Sequence, residues 1–287
     1  MKAKLVTACF LLGAMTAAVA QEAQKLNTPP KVLTISREFV KPGRTGTMHE
    51  KTEAAFVQAF TSQKWPTHYL AMDSISGKPR SLFLTGYDSF EAWEKDALAV
   101  QKNAALNTAL ERAGYTDADM LADMDAVTLA CREDLSLRPA TDLPRMRYFE
   151  ISRFQIRPGH SKDWERLVKM YIAGWEKTAD VQWATYEVAY GAPDGTFIIF
   201  TPRKSGAEVD HAFAEGKDFE TAMGEDGMKQ LRELSAATIE SSESNLFGFN
   251  PRMSYVSEEF TKADPDFWGV KTAVAAHPKK KGEEAKK

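Results

Sequence analysis

A nine-residue stretch is written almost identically twice in this chain, and that repetition restricts the folds open to it. Residues 35–43 read ISREFVKPG and residues 151–159 read ISRFQIRPG. Ile35/Ile151, Ser36/Ser152, Arg37/Arg153, Pro42/Pro158 and Gly43/Gly159 coincide, and Val40/Ile156 and Lys41/Arg157 match conservatively. Each copy opens with a β-branched and aromatic run, residues 32–40 or 147–156, which reads as a strand ended by Pro-Gly. An amphipathic helix follows. In the second copy Trp164, Leu167, Val168, Tyr171, Ile172 and Trp175 recur at three- and four-residue steps, and in the first Ala55, Phe56, Ala59 and Phe60 do so more weakly.

The rest of each copy keeps the parallel. THYLAMDSI and SLFLTGY flank the turn at 76–79, and WATYEVAY and TFIIF flank the turn at 191–195, so each copy holds a hairpin. Helical regions over 89–113 and 205–234 come next, the second interrupted near Gly216 and Gly224, and closing strands lie near 127–137 and 238–249. The order β-α-β-β-α-β therefore occurs twice, which is the split βαβ unit of ferredoxin-like domains. The fold class expected is α+β: two tandem βαββαβ repeats packed sheet to sheet as an intramolecular α/β barrel. A sheet with helices on one face must bury its other face, and each half does this for the other. The repeats span 32–140 and 145–256, and an extended, lysine-rich tail covers 257–287, with Phe267 and Trp268 as anchors for an arm.

Outside the repeats the signals concern location. Lys2 and Lys4 precede an apolar run over 5–19, and Ala18-Val19-Ala20 has the small-x-small form of a cleavage site. Residues 1–20 thus read as a secretory signal peptide and 21–31 as a linker, giving an exported protein, periplasmic or extracellular. No later segment reaches the roughly 18 apolar residues of a membrane helix. Loss of Cys9 leaves Cys131 alone, which reads as a small buried hydrophobe in a strand. A net charge of −3 argues against nucleic acid as a partner. Zinc-type ligand spacing, Gly-x-Gly-x-x-Gly after a strand and Gly-x-Ser-x-Gly are all missing, so no metal is expected and the common nucleotide and hydrolase classes drop out.

On these residues the chain resembles the dimeric α/β-barrel superfamily in duplicated, single-chain form. The strand, basic-Pro-Gly turn and helix opening is similar to NIPSNAP and EthD-type proteins. Residues 87–93, YDSFEAW, resemble the strand-to-helix step of antibiotic-biosynthesis monooxygenase domains, with Ser89 as N-cap. The monooxygenase-like members commonly carry a His one or two turns beyond that Glu-Ala. Here WEKDALAVQ has none, while Glu208 is followed by His211. The resemblance implies a small, mostly apolar ligand in the barrel interior, and fold alone does not name a reaction.

The candidate pocket residues are Arg37, Arg153, His68, Tyr69, Trp183, Tyr186 and Tyr190. Either arginine suits a carboxylate or phenolate clamp, or pairs with an acid in its own sheet, Glu38 or Glu150. The aromatic residues with His68 suit an aromatic ligand and a proton transfer, or simply pack as strand aromatics. His211 is a haem-ligand candidate implied by duplicated relatives, or a surface residue. His49 and His160, near helix N-termini where a cation is disfavoured, are expected to face solvent. The first function expected is binding of a small apolar or aromatic molecule without catalysis and without a cofactor. The alternative is a cofactor-independent monooxygenase-like or isomerase-like enzyme using His68, Tyr69 and Tyr186. A haem protein is third. Self-association into a homo-oligomer is compatible with the fold and not required by it.

Overall fold

The computed structural model describes residues 28–178 and 180–270. The expected signal peptide, most of the linker and the lysine-rich end of the tail lie outside them. The first half runs β1 (Val32–Val40), α1 (Thr47–Ser62), β2 (Tyr69–Ser74), β3 (Arg80–Tyr87), α2 (Phe90–Lys102), α3 (Ala104–Asp117) and β4 (Leu121–Cys131). The second runs β5 (Tyr148–Ile156), α4 (Ser161–Trp175), β6 (Ala184–Tyr190), β7 (Thr196–Arg203), α5 (Gly206–Thr238) and β8 (Ile239–Phe249). Two short helices close the described chain, α6 (Glu258–Ala263) and α7 (Pro265–Trp268).

The strands form one closed antiparallel barrel in the order β1-β3-β2-β8-β5-β7-β6-β4. The two halves therefore meet at their edges as well as across their faces. Met72 pairs with Phe249 at the β2–β8 seam, and Cys131 with Tyr186 at the β4–β6 seam. Closure leaves no strand edge unpaired, which an open sheet must otherwise protect. Among the described residues no helix is long and apolar enough to cross a membrane.

Local chemistry explains the boundaries. Each Pro-Gly turn needs a left-handed residue after its strand, and Gly43 (φ 79°) and Gly159 (φ 86°) supply it without a Cβ penalty. Ser89 caps α2 by accepting from the Ala92 N–H. The helical region expected over 89–113 is split at Asn103, whose side chain accepts from the Leu106 N–H and starts α3. In α5 the backbone leaves the helix at Gly224 (φ 65°), whereas Gly216 is helical. The closing strand of the first half begins at Leu121, earlier than expected, because its solvent-facing start lacks apolar alternation.

Alternation along the strands sorts two environments. Leu33, Ile35, Met72, Leu82, Leu84, Phe149, Ile151, Phe200 and Phe247 face the barrel interior and bury one another. Phe260 of α6 and Trp268 of α7 join this cluster, so the described part of the tail, residues 257–270, docks on the core through two short helices. The interior of an eight-stranded barrel is just wide enough for side chains to fill. Here these apolar side chains pack against one another in the interior. The helices cover the outer faces of the sheets.

Candidate functional site

Open volume lies on the outer face of the second half. A cavity of about 510 Å³ lies between the sheet and the first turns of α5. Trp175 from the end of α4, Trp183, Val181 and Leu246 form one wall; Val209, Ala212 and Phe213 of α5 form the other. Periodicity makes the α5 wall, since these three residues recur at three- and one-residue steps on one face. Phe213 is 81% exposed, a large apolar side chain left facing open volume. Trp183 is held rigidly: its indole N–H donates to the Leu135 carbonyl at 3.0 Å, and its backbone bridges to Leu137.

Arg203 supplies the polar point. It ends β7 on the outer face, and its Nη2 donates to Glu150 Oε2 at 3.1 Å across the β5–β7 pair. Glu150 thus pairs with Arg203, not with Arg153. Arg203 Nε is buried and has no hydrogen-bond partner among the described residues. A buried donor on a charged group left unmatched is costly, and this one belongs to a residue that lines the cavity. A second cavity of about 460 Å³ adjoins at Val181, Arg203 and Glu215 and is lined by Arg138, Lys204, Glu208 and His211.

The remaining candidates are scattered through the fold. Arg37 holds Asp125 with two hydrogen bonds, Nε at 2.5 Å and Nη2 at 2.7 Å. Its partner is the residue directly opposite on β4, whereas Glu38 faces the other side of the sheet. Arg153 stands opposite Glu243 on β8, but that carboxylate accepts from Arg80 Nη2 at 3.4 Å; the Asn245 hydrogen bond first, then Arg80 and last Arg153 hold it below its ordinary value against burial. Tyr186 points into the barrel and donates to the Pro30 carbonyl at 2.9 Å. Tyr69 lies on the outer face of the first half against Phe60 and Phe83, and His68 stacks on Tyr255 at 4.8 Å. Burial lowers the His68 pKa, with the Glu259 charge opposing it. Tyr190 is exposed and meets the edge of Phe90. His68, Tyr69 and Tyr186 are therefore not brought into one pocket. Trp183 lines the first cavity, and His211 lines the second from an exposed position on α5.

Two further histidines divide. His160 pairs with Asp163 at 2.9 Å at the start of α4. His49, expected to face solvent, is 2% exposed and sits among carboxylates under α1. The apolar positions Phe56 and Phe60 continue at helical steps from His49 and Glu53, so the stripe that carries them inward includes both polar residues.

Cys131 is half-buried against the core, and burial, with the Glu133 charge, pushes its thiol up to about 11. Alkylation by iodoacetamide at pH 8 is therefore expected to run about 100-fold slower than for a free cysteine, in proportion to thiolate. A rate equal to that of free cysteine would contradict this environment.

No family model and no curated protein matches the chain. Among solved structures it is similar to an anthrone oxidase-like protein, at 13% identity and TM-score 0.49, covering 81% of this chain and 97% of that one. A candidate monooxygenase from Fusobacterium nucleatum is similar at 10% identity and TM-score 0.49, over 77% of this chain and 93% of that one. A mutant chlorite dismutase from Candidatus Nitrospira defluvii is similar at 9% identity and TM-score 0.45, over 86% and 99%.

Proposed function

We propose that this is an exported, tandem-repeat α/β-barrel protein that binds a small aromatic molecule in the outer groove of its second half. The observation that carries the reading is the unmatched Arg203 Nε set between walls of Trp175, Trp183 and Phe213. Apolar walls with few placed polar groups are the usual make-up of a small-molecule site. Because Glu150 already balances the Arg203 charge, the donor calls for a neutral acceptor, such as the oxygen of an aromatic ketone or quinone-like ring, more than for an anion. The groove gathers no acid–base pair around that donor, so binding is the function assigned and turnover is not. Haem suits the groove less well: His211 is exposed, and the cavity beside it is lined by Arg138, Lys204, Glu208 and Glu215 in place of apolar faces.

Two probes of one shape test the assignment, acetonaphthone and ethylnaphthalene, titrated by quenching of tryptophan fluorescence. A hydrogen bond from a charged donor contributes about 1.5–3 kcal/mol, so the ketone is expected to bind about tenfold tighter or more. Arg203→Met is expected to abolish that preference, and Phe213→Ser to weaken both probes. Equal affinity for the two probes in the unaltered protein would remove the Arg203 role.

A further inference from the structure

The second feature lies in the first half and is independent of the groove. Glu38 of β1, His49 and Glu53 of α1 and Asp117 of α3 converge between the sheet and its helices. All four are buried, and one ligand atom from each lies within 4.8 Å of the others. His49 Nε2 stands 3.1 Å from Glu38 Oε2, 3.4 Å from Asp117 Oδ1 and 3.9 Å from Glu53 Oε1. Ligands about 2.1 Å from an ion at tetrahedral angles stand about 3.4 Å apart. The three distances from His49 bracket that value, and the whole set lies within 4.8 Å.

The same fold offers its own control. Glu38 precedes Pro42 as Phe154 precedes Pro158, and Glu38 faces Ser81 across the sheet as Phe154 faces Phe197. In the second half this space is filled by Trp164 between Phe154 and Phe197, with ring centroids 5.1 and 5.2 Å away. The buried face of α4 carries Trp164, Leu167 and Val168 where α1 buries His49 and Glu53. Apolar packing is thus available to this architecture, and the first half holds three carboxyls and an imidazole instead. Burying charges without an opposite charge is expensive.

Two unmatched atoms point the same way. Glu53, 2% exposed, has Oε1 buried without a hydrogen-bond partner among the described residues, and so has the Tyr69 hydroxyl. Burial, followed by the Glu53 and Glu38 charges, raises the Tyr69 pKa, so its ring lies within the field of these acids. Burial and then the Glu38 and Asp117 charges push Glu53 well above the ordinary carboxyl value. Burial also dominates the rise of Glu38, against the His49 hydrogen bond.

The outer contacts are those of a ligating histidine. Ser81 Oγ lies 3.3 Å from His49 Nδ1 and donates its proton to Asp73 Oδ1 at 2.5 Å. Ser81 is then the acceptor for Nδ1–H, which turns the Nε2 lone pair toward the acids. Asp73 is fixed in turn by Asn250 Nδ2 at 2.8 Å. We infer that Glu38, His49, Glu53 and Asp117 form a buried mononuclear site for a divalent transition-metal ion, Mn²⁺, Fe²⁺ or Zn²⁺. One imidazole with three carboxylates is a donor set that suits these borderline-to-hard ions.

The test uses full-length protein stripped with a chelator, then titrated with Mn²⁺ and Zn²⁺ by calorimetry, with bound metal counted by elemental analysis. One ion per chain is expected, with a rise in Tm. Glu53→Gln and His49→Gln are expected to weaken binding by about 100-fold, and Ser81→Ala, which keeps every ligand, by about tenfold. Metal-free Glu53→Gln is expected to be at least as stable as the metal-free parent, which separates lost binding from lost fold. No bound ion and an unmoved Tm in the unaltered protein would overturn the site. So would binding that survives all three substitutions unchanged.

Discussion

Trp164→Ala is expected to destabilise the protein by about 3–5 kcal/mol, the usual cost of truncating a fully buried large aromatic residue. Trp164 is 2% exposed and sandwiched between Phe154 and Phe197, with Leu167 and Phe219 in the same cluster. Its loss leaves a void that rigid strands β5 and β7 cannot close. For a domain of this size the Tm is expected to fall by roughly 6–20 °C. Differential scanning calorimetry checks this, and a shift under 2 °C would show that the second half does not depend on that aromatic layer. Metal-free Glu53→Gln, expected to cost nothing, makes the contrast between the two halves under one architecture.

Trp268→Ala is expected to cost about 3–5 kcal/mol for a different reason. Trp268 is 5% exposed, meets Phe249, Phe260 and Phe267 edge to face, and donates its indole N–H to the Pro144 carbonyl at 2.6 Å. Arg147 fixes the same corner by pairing with Asp264 and lying over the Phe267 ring at 4.1 Å. Truncation removes apolar burial and strands a buried acceptor together. Urea denaturation should report the loss as a lower midpoint with an unchanged slope. An unaltered midpoint would mean that the tail does not contribute to the core.

The repeated strand and Pro-Gly turn made the element order legible, because turn chemistry and period are local properties. Strand partners are not local. Arg37 has Glu38 as its neighbour in sequence, yet successive strand residues face opposite sides, and the register places Asp125 across from it. His49 shows a conflict between two local signals: proximity to a helix start suggested solvent, while its step to Glu53, Phe56 and Phe60 places it on the buried stripe. The stripe prevailed because tertiary packing outweighs a dipole effect of a few tenths of a kcal/mol to about 1 kcal/mol. The groove was visible only in pieces. Trp183 was a candidate, and Trp175 read as core. Val209, Ala212 and Phe213 become a wall only when α5 lies over β7, and no spacing in the sequence encodes that placement.

The most direct test of the binding assignment is a crystal structure of the protein soaked with acetonaphthone. The rings are expected between Trp183 and Phe213, with the ketone oxygen within hydrogen-bond distance of Arg203 Nε. The ketone bound inside the barrel, or bound in the groove with its oxygen turned away from Arg203, would contradict it.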